Sequence, residues 1–298
     1  MDGIIVVNKP KGCTSHDVVY KVKKITGEKV GHTGTLDPNA TGVLPLLIGK
    51  GTLLSKYLIN HDKTYEVTLK LGEKTDTADS EGIVIEQKEI ETKIFNEDNI
   101  KNVLDSFIGK HKQIPPMYSA IKVNGKKLYE YARKKEKVKV PPRNIEIYNI
   151  KLIKLIQNNN EIQFEVSCSK GTYIRSLCED IAERINTVGY MKDLKRIQVG
   201  EFSIDEAVTI NELEQVNDIN KIKEKYLISI EDYFNNNKEL LLNEIKLKKF
   251  VNGVKLKYDN LEDGLYRIYD NNKNFIGLGI INNKNLKRDI VVKNIENN

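Results

Sequence analysis

Residues 31–42 read GHTGTLDPNATG. This short segment holds three glycines, three threonines and one proline, a composition that suits neither a helix nor a strand. It therefore predicts a loop, in which glycine allows the backbone to come close to a ligand. Asp37 stands directly before Pro38, and the proline favours an extended conformation for the aspartate.

Two roles are open for Asp37. An aspartate at such a position commonly forms a turn by accepting hydrogen bonds from its own backbone. Alternatively, Asp37 is a catalytic carboxylate, because an aspartate with an ordinary pKa of about 3.9 is ionised at neutral pH and can attack an electrophilic carbon without a general base. Composition alone does not decide between the two roles.

Patterns on either side of the loop predict several strands. Gly3–Val7 is rich in β-branched residues and predicts a strand, and Ser15 can cap the helix that follows it. Apolar and polar residues alternate in Tyr65–Leu71 and in Ile162–Cys168, which predicts two further strands.

Two more helices are predicted from apolar residues at helical spacing. One includes Ile100–Ile108, with Gly109 as its C-cap, and the other begins directly after Arg175. From about residue 235, asparagine and glycine turns separate short strands, which predicts a small all-β module. We therefore divide the chain into residues 1–234 and residues 235–298.

The composition is that of an ordinary globular chain. Its 298 residues allow about two domains, and 39% hydrophobic with 30% charged residues argues against pervasive disorder. No stretch approaches the ~20 apolar residues of a membrane-spanning helix, and the N-terminus shows no leader, so we expect a cytoplasmic protein without a membrane partner. The cysteines, Cys13, Cys168 and Cys178, are too widely spread for a disulfide framework or a CxxC metal site.

The sequence contains no motif for a nucleotide cofactor or a metal ion. The spacing between Gly42 and Gly49-Lys50 is longer than that of a phosphate-binding P-loop, and Gly51 stands where the motif needs serine or threonine. No GxGxxG follows a strand, the four histidines form no HExxH, and there is no GxSxG. We expect a protein that works without a cofactor and without a metal.

Positive charge is concentrated in residues 118–143. This segment carries nine basic and two acidic side chains, a net charge of +7, so the rest of the chain carries −1 of the total of +6. Tyrosines lie among the basic residues, and such a segment can neutralise phosphates and stack bases. A solvated lysine-rich hairpin is the alternative interpretation.

The 31–42 loop resembles the GHTGTLDPxATG loop of the TruB family, the tRNA pseudouridine-55 synthases. Four further blocks are similar in the family's order: Asn8–Gly12, Lys63–Glu66, Pro115–Ala120 and Cys168–Leu177. The likeness spans residue 1 to about residue 205, and a weaker one relates the C-terminal module to PUA RNA-binding modules. The resemblance implies an α/β (α+β) fold with a mixed, largely antiparallel sheet, flanking helices and a small β-rich PUA-like C-terminal domain.

The resemblance also implies the function. The enzyme would isomerise uridine 55 in the T-loop of tRNA to pseudouridine by base flipping and attack by an aspartate, without cofactor or metal. Its partner would be the T-arm of tRNA, and it would act as a monomer without an obligate protein partner. The alternative is a tRNA-binding folding chaperone or RNP scaffold that needs no catalysis.

The resemblance assigns roles to individual residues of the pocket. Asp37 would be the nucleophile, and Arg175 would pair with it and hold it ionised. Tyr65 would stack on the flipped uracil and take part in proton removal at the end of the reaction, and Tyr173 would line the same pocket. His32 would enter the RNA in place of the extruded base.

Other family motifs place further residues near the substrate. Leu194-Lys195-Arg196 resembles the family's Leu-Arg-Arg element, in which Leu194 would contact the substrate and Lys195 replaces an arginine. Lys9 would lie at the substrate site, where we expect loop support more than chemistry. The RNA backbone would be held by Lys122, Lys126, Lys127 and Arg133.

Overall fold

The computed structural model describes residues 1–293 except residues 120, 135, 137 and 217, and it describes no side chain at 92 or 93. Ala120 of the Pro115–Ala120 block, Lys135 and Lys137 of the basic segment, and the last five residues of the C-terminal module therefore lie outside the described residues.

The first 234 residues alternate strands with helices. The strands are β1 (Gly3–Lys9), β2 (Val30–His32), β3 (Thr41–Ile48), β4 (Lys63–Leu71), β5 (Glu73–Thr75), β6 (Val84–Gln87), β7 (Gly109–Gln113), β8 (Lys122–Val123), β9 (Lys126–Lys127), β10 (Arg143–Ile156), β11 (Glu161–Cys168), β12 (Gly189–Val199), β13 (Phe202–Ser203) and β14 (Ile228–Ser229). The α-helices are α1 (Ser15–Thr26), α2 (Ser55–Leu58), α3 (Glu97–Asp105), α4 (Leu128–Arg133), α5 (Ile174–Arg184), α6 (Ile210–Val216), α7 (Ile219–Tyr226) and α8 (Ile230–Tyr233). Short 3₁₀ turns cover Gly49–Leu54, Thr92–Phe95, Gln157–Asn159 and Ile204–Glu206.

Within the described residues, a ten-stranded sheet forms the centre of the molecule. Its main path runs β14-β1-β3-β12-β4-β11-β10-β7, with β2 beside β3 and β13 beside β12. Neighbouring strands are antiparallel except β3 and β12, which are parallel. The apolar sides of α3 and α5 pack on β4, β10, β11 and β12, and those of α1, α6 and α7 pack on β1 and β3. The predicted fold class is therefore confirmed.

This topology places three chain segments next to one another. The segment between β2 and β3 ends where Thr41 and Gly42 pair with Lys195 and Arg196 of β12. Strand β4 lies on the other side of β12, and β11 follows β4 and leads into α5. The 31–42 loop, Tyr65 on β4 and Arg175 on α5 therefore meet near the centre of the sheet.

Three predicted helix ends are wrong, and two of them have a local cause. The N-cap of α1 is Thr14, not Ser15, because Thr14 exchanges capping-box hydrogen bonds with Asp17 while the Ser15 hydroxyl bonds to the backbone of Leu36. Helix α3 ends at Asp105 and is followed by tight turns, so Gly109 is not its C-cap but the first residue of β7, at φ +110°. Helix α5 begins at Ile174, one residue before Arg175 rather than after it.

The C-terminal module is built on a second sheet, but it is not all-β. Its elements are β15 (Lys238–Leu241), α9 (Glu244–Val251), β16 (Leu256–Lys257), β17 (Gly264–Tyr269), β18 (Phe275–Asn282) and β19 (Asn285–Val291). The strand order is β15-β17-β18-β19-β16. Helix α9 forms because Asn243 caps it and because Leu247 and Phe250 are buried against the sheet. In the part of the chain that the structure describes, no helix is long and apolar enough to cross a membrane.

Candidate active site

Buried polar groups of neighbouring segments hold the loop that carries Asp37 in place. The Ser15 hydroxyl accepts a hydrogen bond from the Leu36 amide at 2.9 Å, next to Asp37. The Lys9 ammonium is fully buried and donates to the carbonyl oxygens of Pro38 at 3.0 Å and Ala40 at 2.7 Å. These contacts fix the loop backbone on both sides of the aspartate, so the position of its carboxylate is set by the scaffold.

Arg175 joins Asp37 to a second carboxylate. Its Nε lies 3.3 Å from Asp37 Oδ2, and its Nη1 lies 3.3 Å from Asp79 Oδ2. The Nη2 atom donates to the carbonyl oxygen of Tyr118 at 2.8 Å, and Nη1 also donates to that of Thr77. The guanidinium is thereby held on several sides, with Asp37 as the more exposed of its two carboxylate partners.

Burial and charge act on Asp37 in opposite directions. Burial raises the pKa of Asp37 above its ordinary value of 3.8, Arg175 lowers it, and the negative charge of Asp79 raises it again. The pair of Asp37 and Arg175 that the resemblance implies is thus present. Burial raises the pKa of Asp37 by more than Arg175 lowers it, so the net shift is upward. The carboxylate is poorly solvated yet still partly open, with its side chain 38% exposed, and such an anion is a better nucleophile than one in bulk water.

Asp37 opens onto a cavity of about 120 Å³. Five of the residues proposed from sequence line it together: Asp37, Tyr65, Tyr173, Arg175 and Leu194. The cavity is much smaller than the roughly 300–1,000 Å³ of pockets that enclose drug-sized ligands. It therefore offers room for one small ring, not for a nucleotide cofactor.

Tyr65 forms the buried wall of this cavity. It lies on β4, is 7% exposed, and is paired across the sheet with Arg196 of β12. Burial raises the pKa of Tyr65 to about 12. Its hydroxyl is therefore protonated at neutral pH, and its ring is held rigidly beside the carboxylate.

Tyr173 is fixed through its backbone. The buried Gln113 side chain accepts a hydrogen bond from the Tyr173 amide at 2.8 Å and donates to the Tyr173 carbonyl at 3.0 Å. Because Tyr173 is the residue that precedes α5, these two bonds also fix the start of the helix that carries Arg175.

Three family models match consecutive parts of the chain. They are the TruB family pseudouridylate synthase N-terminal domain over residues 21–174, the tRNA pseudouridylate synthase B C-terminal domain over residues 175–232, and the pseudouridine synthase II TruB C-terminal domain over residues 239–287. The chain belongs to the TruB family. It is accordingly a pseudouridine synthase, an intramolecular transferase of the isomerase class.

Curated relatives of this TruB-family chain are similar over almost their whole length. The tRNA pseudouridine synthase B of Clostridium perfringens (strain 13 / Type A) is 44% identical over 295 residues, which is 96% of this chain and 97% of the relative. That of Caldanaerobacter subterraneus subsp. tengcongensis is 40% identical over 289 residues, 96% of this chain and 98% of the relative.

Solved structures show the same fold at lower identity. The Cbf5-Nop10-Gar1 complex contains a chain that matches with a TM-score of 0.65 at 24% identity, over 93% of this chain and 78% of that chain. An H/ACA RNP bound to a substrate RNA that contains 2′-deoxyuridine gives a TM-score of 0.63 at 23% identity, over 93% and 77%. These matches concern the fold alone.

Two of the residues proposed to bind the substrate, Lys9 and His32, do not line the cavity of this TruB-family enzyme. Lys9 lies beneath the loop and contacts its carbonyl groups, in line with the loop support expected of it. His32 lies at the end of β2, half-buried, with its ring 5.4 Å from that of His16, edge to face. Burial and then His16 lower the pKa of His32, so its imidazole is neutral at pH 7 and suited to stacking.

The basic residues proposed for RNA contact lie on one hairpin. We call residues 122–133 the basic hairpin: β8 and β9 joined by Asn124-Gly125, then α4. Lys122, Lys126 and Arg133 are exposed. The hairpin begins next to the cavity, since Tyr118 contacts Arg175 and the Tyr129 amide bonds to the Ser119 carbonyl at 3.1 Å.

Sequence reasoning missed two parts of the site. Asp79, which holds Arg175, lies in a turn where Ala78 has φ +61°, and no motif or periodicity marks it. Ser15 was interpreted as a helix cap, but it anchors the Asp37 loop. Neither role has a signal in a single sequence, because both depend on contacts between distant segments.

Proposed function

We propose that this enzyme isomerises uridine 55 in the T-loop of tRNA to pseudouridine, with Asp37 as the nucleophilic carboxylate. The observation that carries the proposal is the Asp37–Arg175 pair at 3.3 Å, at the mouth of a ring-sized cavity walled by Tyr65 and Tyr173. The names of the curated relatives, tRNA pseudouridine synthase B, support tRNA as the substrate class.

The reaction requires only a rearrangement of bonds. The bond from N1 of uracil to C1′ of the ribose breaks, a bond from C5 to C1′ forms, N1 gains a proton and C5 loses one. No atom enters or leaves overall, so a carboxylate, its guanidinium partner and a proton acceptor are sufficient. Asp37 and Arg175 supply the first two groups, and Tyr65 supplies the third within the same cavity once its hydroxyl has given up its proton.

Base flipping follows from the size of the cavity. A cavity of about 120 Å³ admits a uracil ring only when the ring has left its stack in the folded RNA. Extrusion of a base costs a few kcal/mol, and stacking on one aromatic side chain returns roughly 1–3 kcal/mol. Tyr65 offers that stacking inside, and a neutral His32 is suited to fill the vacated position in the RNA.

The basic hairpin and the module of residues 235–298 are the proposed tRNA contacts outside the cavity. Three of the four named hairpin residues, Lys122, Lys126 and Arg133, are exposed, and Lys127 is half-buried. RNA loops are recognised by shape, by splayed bases and by backbone contacts, which suits a basic clamp that begins beside the catalytic cavity. We propose that the enzyme acts as a monomer and without a metal.

The test is incubation of purified protein with an unmodified tRNA transcript and EDTA, followed by mapping of pseudouridine. We expect conversion at position 55 and none in a transcript with cytidine at that position. Asp37→Asn, nearly isosteric but uncharged, should form no product while binding tRNA within about threefold of wild type.

Full turnover by Asp37→Asn would remove the aspartate from the mechanism. Binding by the wild-type protein without any product would instead favour the chaperone or scaffold interpretation.

A further inference from the structure

Arg196 is a fully buried arginine without a carboxylate partner among the described residues. It is 1% exposed, and its guanidinium donates to two backbone carbonyl oxygens, Val43 at 2.7 Å and Gly34 at 2.9 Å. A buried charge is costly unless other groups compensate it. The acidic group that faces Arg196 is the hydroxyl of Tyr65.

The two carbonyl groups belong to the two ends of the Asp37 loop. Gly34 precedes Asp37 and Val43 follows it, so one guanidinium ties both ends to β12. The loop leaves room for this side chain at Gly34, where a Cβ would lie 3.2 Å from Arg196 Nη1, and Gly42 allows the loop to approach the backbone of Arg196, because a Cβ there would lie 2.1 Å from the Arg196 carbonyl oxygen. Arg196 therefore acts on the loop that positions the nucleophile.

The same guanidinium contacts Tyr65. The two residues are directly paired across β12 and β4, so their side chains project from the same face of the sheet. The two groups act on each other: the guanidinium lowers the pKa of the Tyr65 hydroxyl, against the larger effect of burial, and the hydroxyl raises the pKa of Arg196. Because arginine has only donors, the tyrosine oxygen would be the acceptor in a hydrogen bond between them, and the hydroxyl hydrogen would be free to point into the cavity.

We propose that Arg196 is a positioning residue of the reaction, which ties the Asp37 loop to the Tyr65 hydroxyl and stabilises negative charge on the tyrosine oxygen. This inference rests on the proposed function of the cavity. Before Tyr65 can accept a proton, its hydroxyl proton leaves to solvent, and the guanidinium compensates the resulting oxyanion. The C5–H bond then breaks and its electron pair re-forms the C5–C6 double bond of uracil, while the C6–N1 double bond becomes a single bond and N1 takes up a proton from solvent. The C5 proton ends on the tyrosine oxygen.

The kinetic test compares Arg196→Lys and Arg196→Met with wild type. Lysine keeps the charge but cannot reach both carbonyl groups and the hydroxyl at once. We expect at least a tenfold lower single-turnover rate for Arg196→Lys and about a hundredfold lower rate for Arg196→Met, with tRNA affinity within threefold. With substrate deuterated at C5 of uridine 55, the isotope effect should grow in both variants, because proton removal becomes slower relative to the other steps.

Two controls separate positioning from folding. Lys192→Gln removes a more exposed cation of the same strand, which pairs with Glu161, and it should leave the rate and the isotope effect unchanged. Thermal unfolding of each variant gives the folded fraction under assay conditions. A rate that falls only in proportion to this fraction, with an unchanged isotope effect, would reduce Arg196 to a structural role and overturn the proposal.

A second measurement does not depend on activity. The tyrosines are labelled with ¹³C at Cζ, and the signal of Tyr65 is assigned because it is missing in Tyr65→Phe. The shift of this signal then follows the onset of ionisation of the Tyr65 hydroxyl as the pH rises towards its pKa of about 12. Arg196→Met should move this onset to higher pH. An unchanged onset would contradict the contact between guanidinium and hydroxyl, whereas a wild-type protein that forms no pseudouridine would refute the proposed function instead.

Discussion

At the residue scale, Asp37 and Asp79 compete for one guanidinium. Both carboxylates lie 3.3 Å from nitrogen atoms of Arg175. Arg175 therefore cannot neutralise Asp37 completely, and the negative charge of Asp79 adds to burial in raising the pKa of Asp37. Both effects disfavour the charged form of Asp37, and Arg175 opposes them only in part because it is shared with Asp79.

This arrangement predicts the pH at which the reaction rate falls on the acid side of the pH profile, which we call the acid limb. Because the pKa of Asp37 in the folded protein is raised above 3.8, the charged form proposed to react is lost at a higher pH than for an exposed aspartate as the pH falls. Asp79→Asn removes the negative neighbour, lowers the pKa of Asp37 and should shift the acid limb of the single-turnover rate to lower pH, while slowing the reaction because Arg175 loses a contact.

Asp193→Asn is the control for this shift. It removes an exposed carboxylate that pairs with Lys11 at 2.6 Å, and it should leave the acid limb in place. An acid limb that does not move in Asp79→Asn would mean that the two carboxylates are not coupled through Arg175.

How far single residues could be predicted depends on whether a motif marks them. Asp37, Arg175 and Tyr65 were named from blocks that resemble a family, and the structure brings them to one cavity. Asp79 lies in none of these blocks, and the Leu194–Arg196 segment marks Arg196 as part of a family element without indicating its contacts. A buried arginine that donates to carbonyl groups has the same sequence signal as any basic residue on a strand.

At the scale of elements, the glycines of the 31–42 loop set how closely strands β3 and β12 approach. Gly42 has φ +105°, and a Cβ there would lie 2.1 Å from the carbonyl oxygen of Arg196. Gly109 has nearly the same φ, +110°, but open space around it. A side chain at Gly42 would be crowded and one at Gly109 would not, whereas the two residues have nearly the same backbone φ.

We expect Gly42→Ala to destabilise the protein by roughly 2 kcal/mol more than Gly109→Ala, a typical cost of overpacking. Both variants carry the cost of about 1 kcal/mol for a left-handed alanine, and only Gly42→Ala must also push the two strands apart. Urea unfolding of the two variants measures the difference. Equal losses of unfolding free energy would show that β3 can move away from Arg196 without cost.

Elements with a clean alternation were predictable, and elements defined by tertiary contacts were not. Strand β4 alternates buried and half-buried residues as its sequence indicates. Helix α3 was extended too far because Phe107 keeps the apolar spacing and is buried, although the chain has already left the helix. Helix α9 has no clear sequence signal because it is only eight residues long and lies among turn-rich segments.

At the scale of the whole molecule, the C-terminal module is bonded to the catalytic part. Asp289 of β19 accepts hydrogen bonds from Lys56 and Tyr57, and the Val292 carbonyl accepts one from Lys50 at 2.6 Å. Apolar residues Leu278 and Ile290 of the module pack into one core with Ile4 and Val43. The module is therefore held at a defined position relative to the cavity.

Charge is distributed unequally over this assembly. Residues 118–143 carry +7, and the remainder of the chain carries −1. The segment 118–143, of which the basic hairpin supplies four basic side chains and one acidic side chain, is thus expected to dominate the electrostatic attraction of RNA. Each phosphate that it neutralises should release a counterion and make binding salt-dependent.

The triple variant Lys122→Gln, Lys126→Gln, Lys127→Gln tests this expectation. Each lost phosphate contact should reduce the slope of log K against log salt by about 0.7–0.9, so the slope should fall by roughly 2–3 in total. The single-turnover rate at saturating tRNA should stay within about threefold of wild type, because the cavity residues are untouched. The matched control, Lys221→Gln, Lys223→Gln, Lys225→Gln on α7, removes the same charge from another surface. If both variants reduced the slope equally, net charge and not the hairpin would govern tRNA binding.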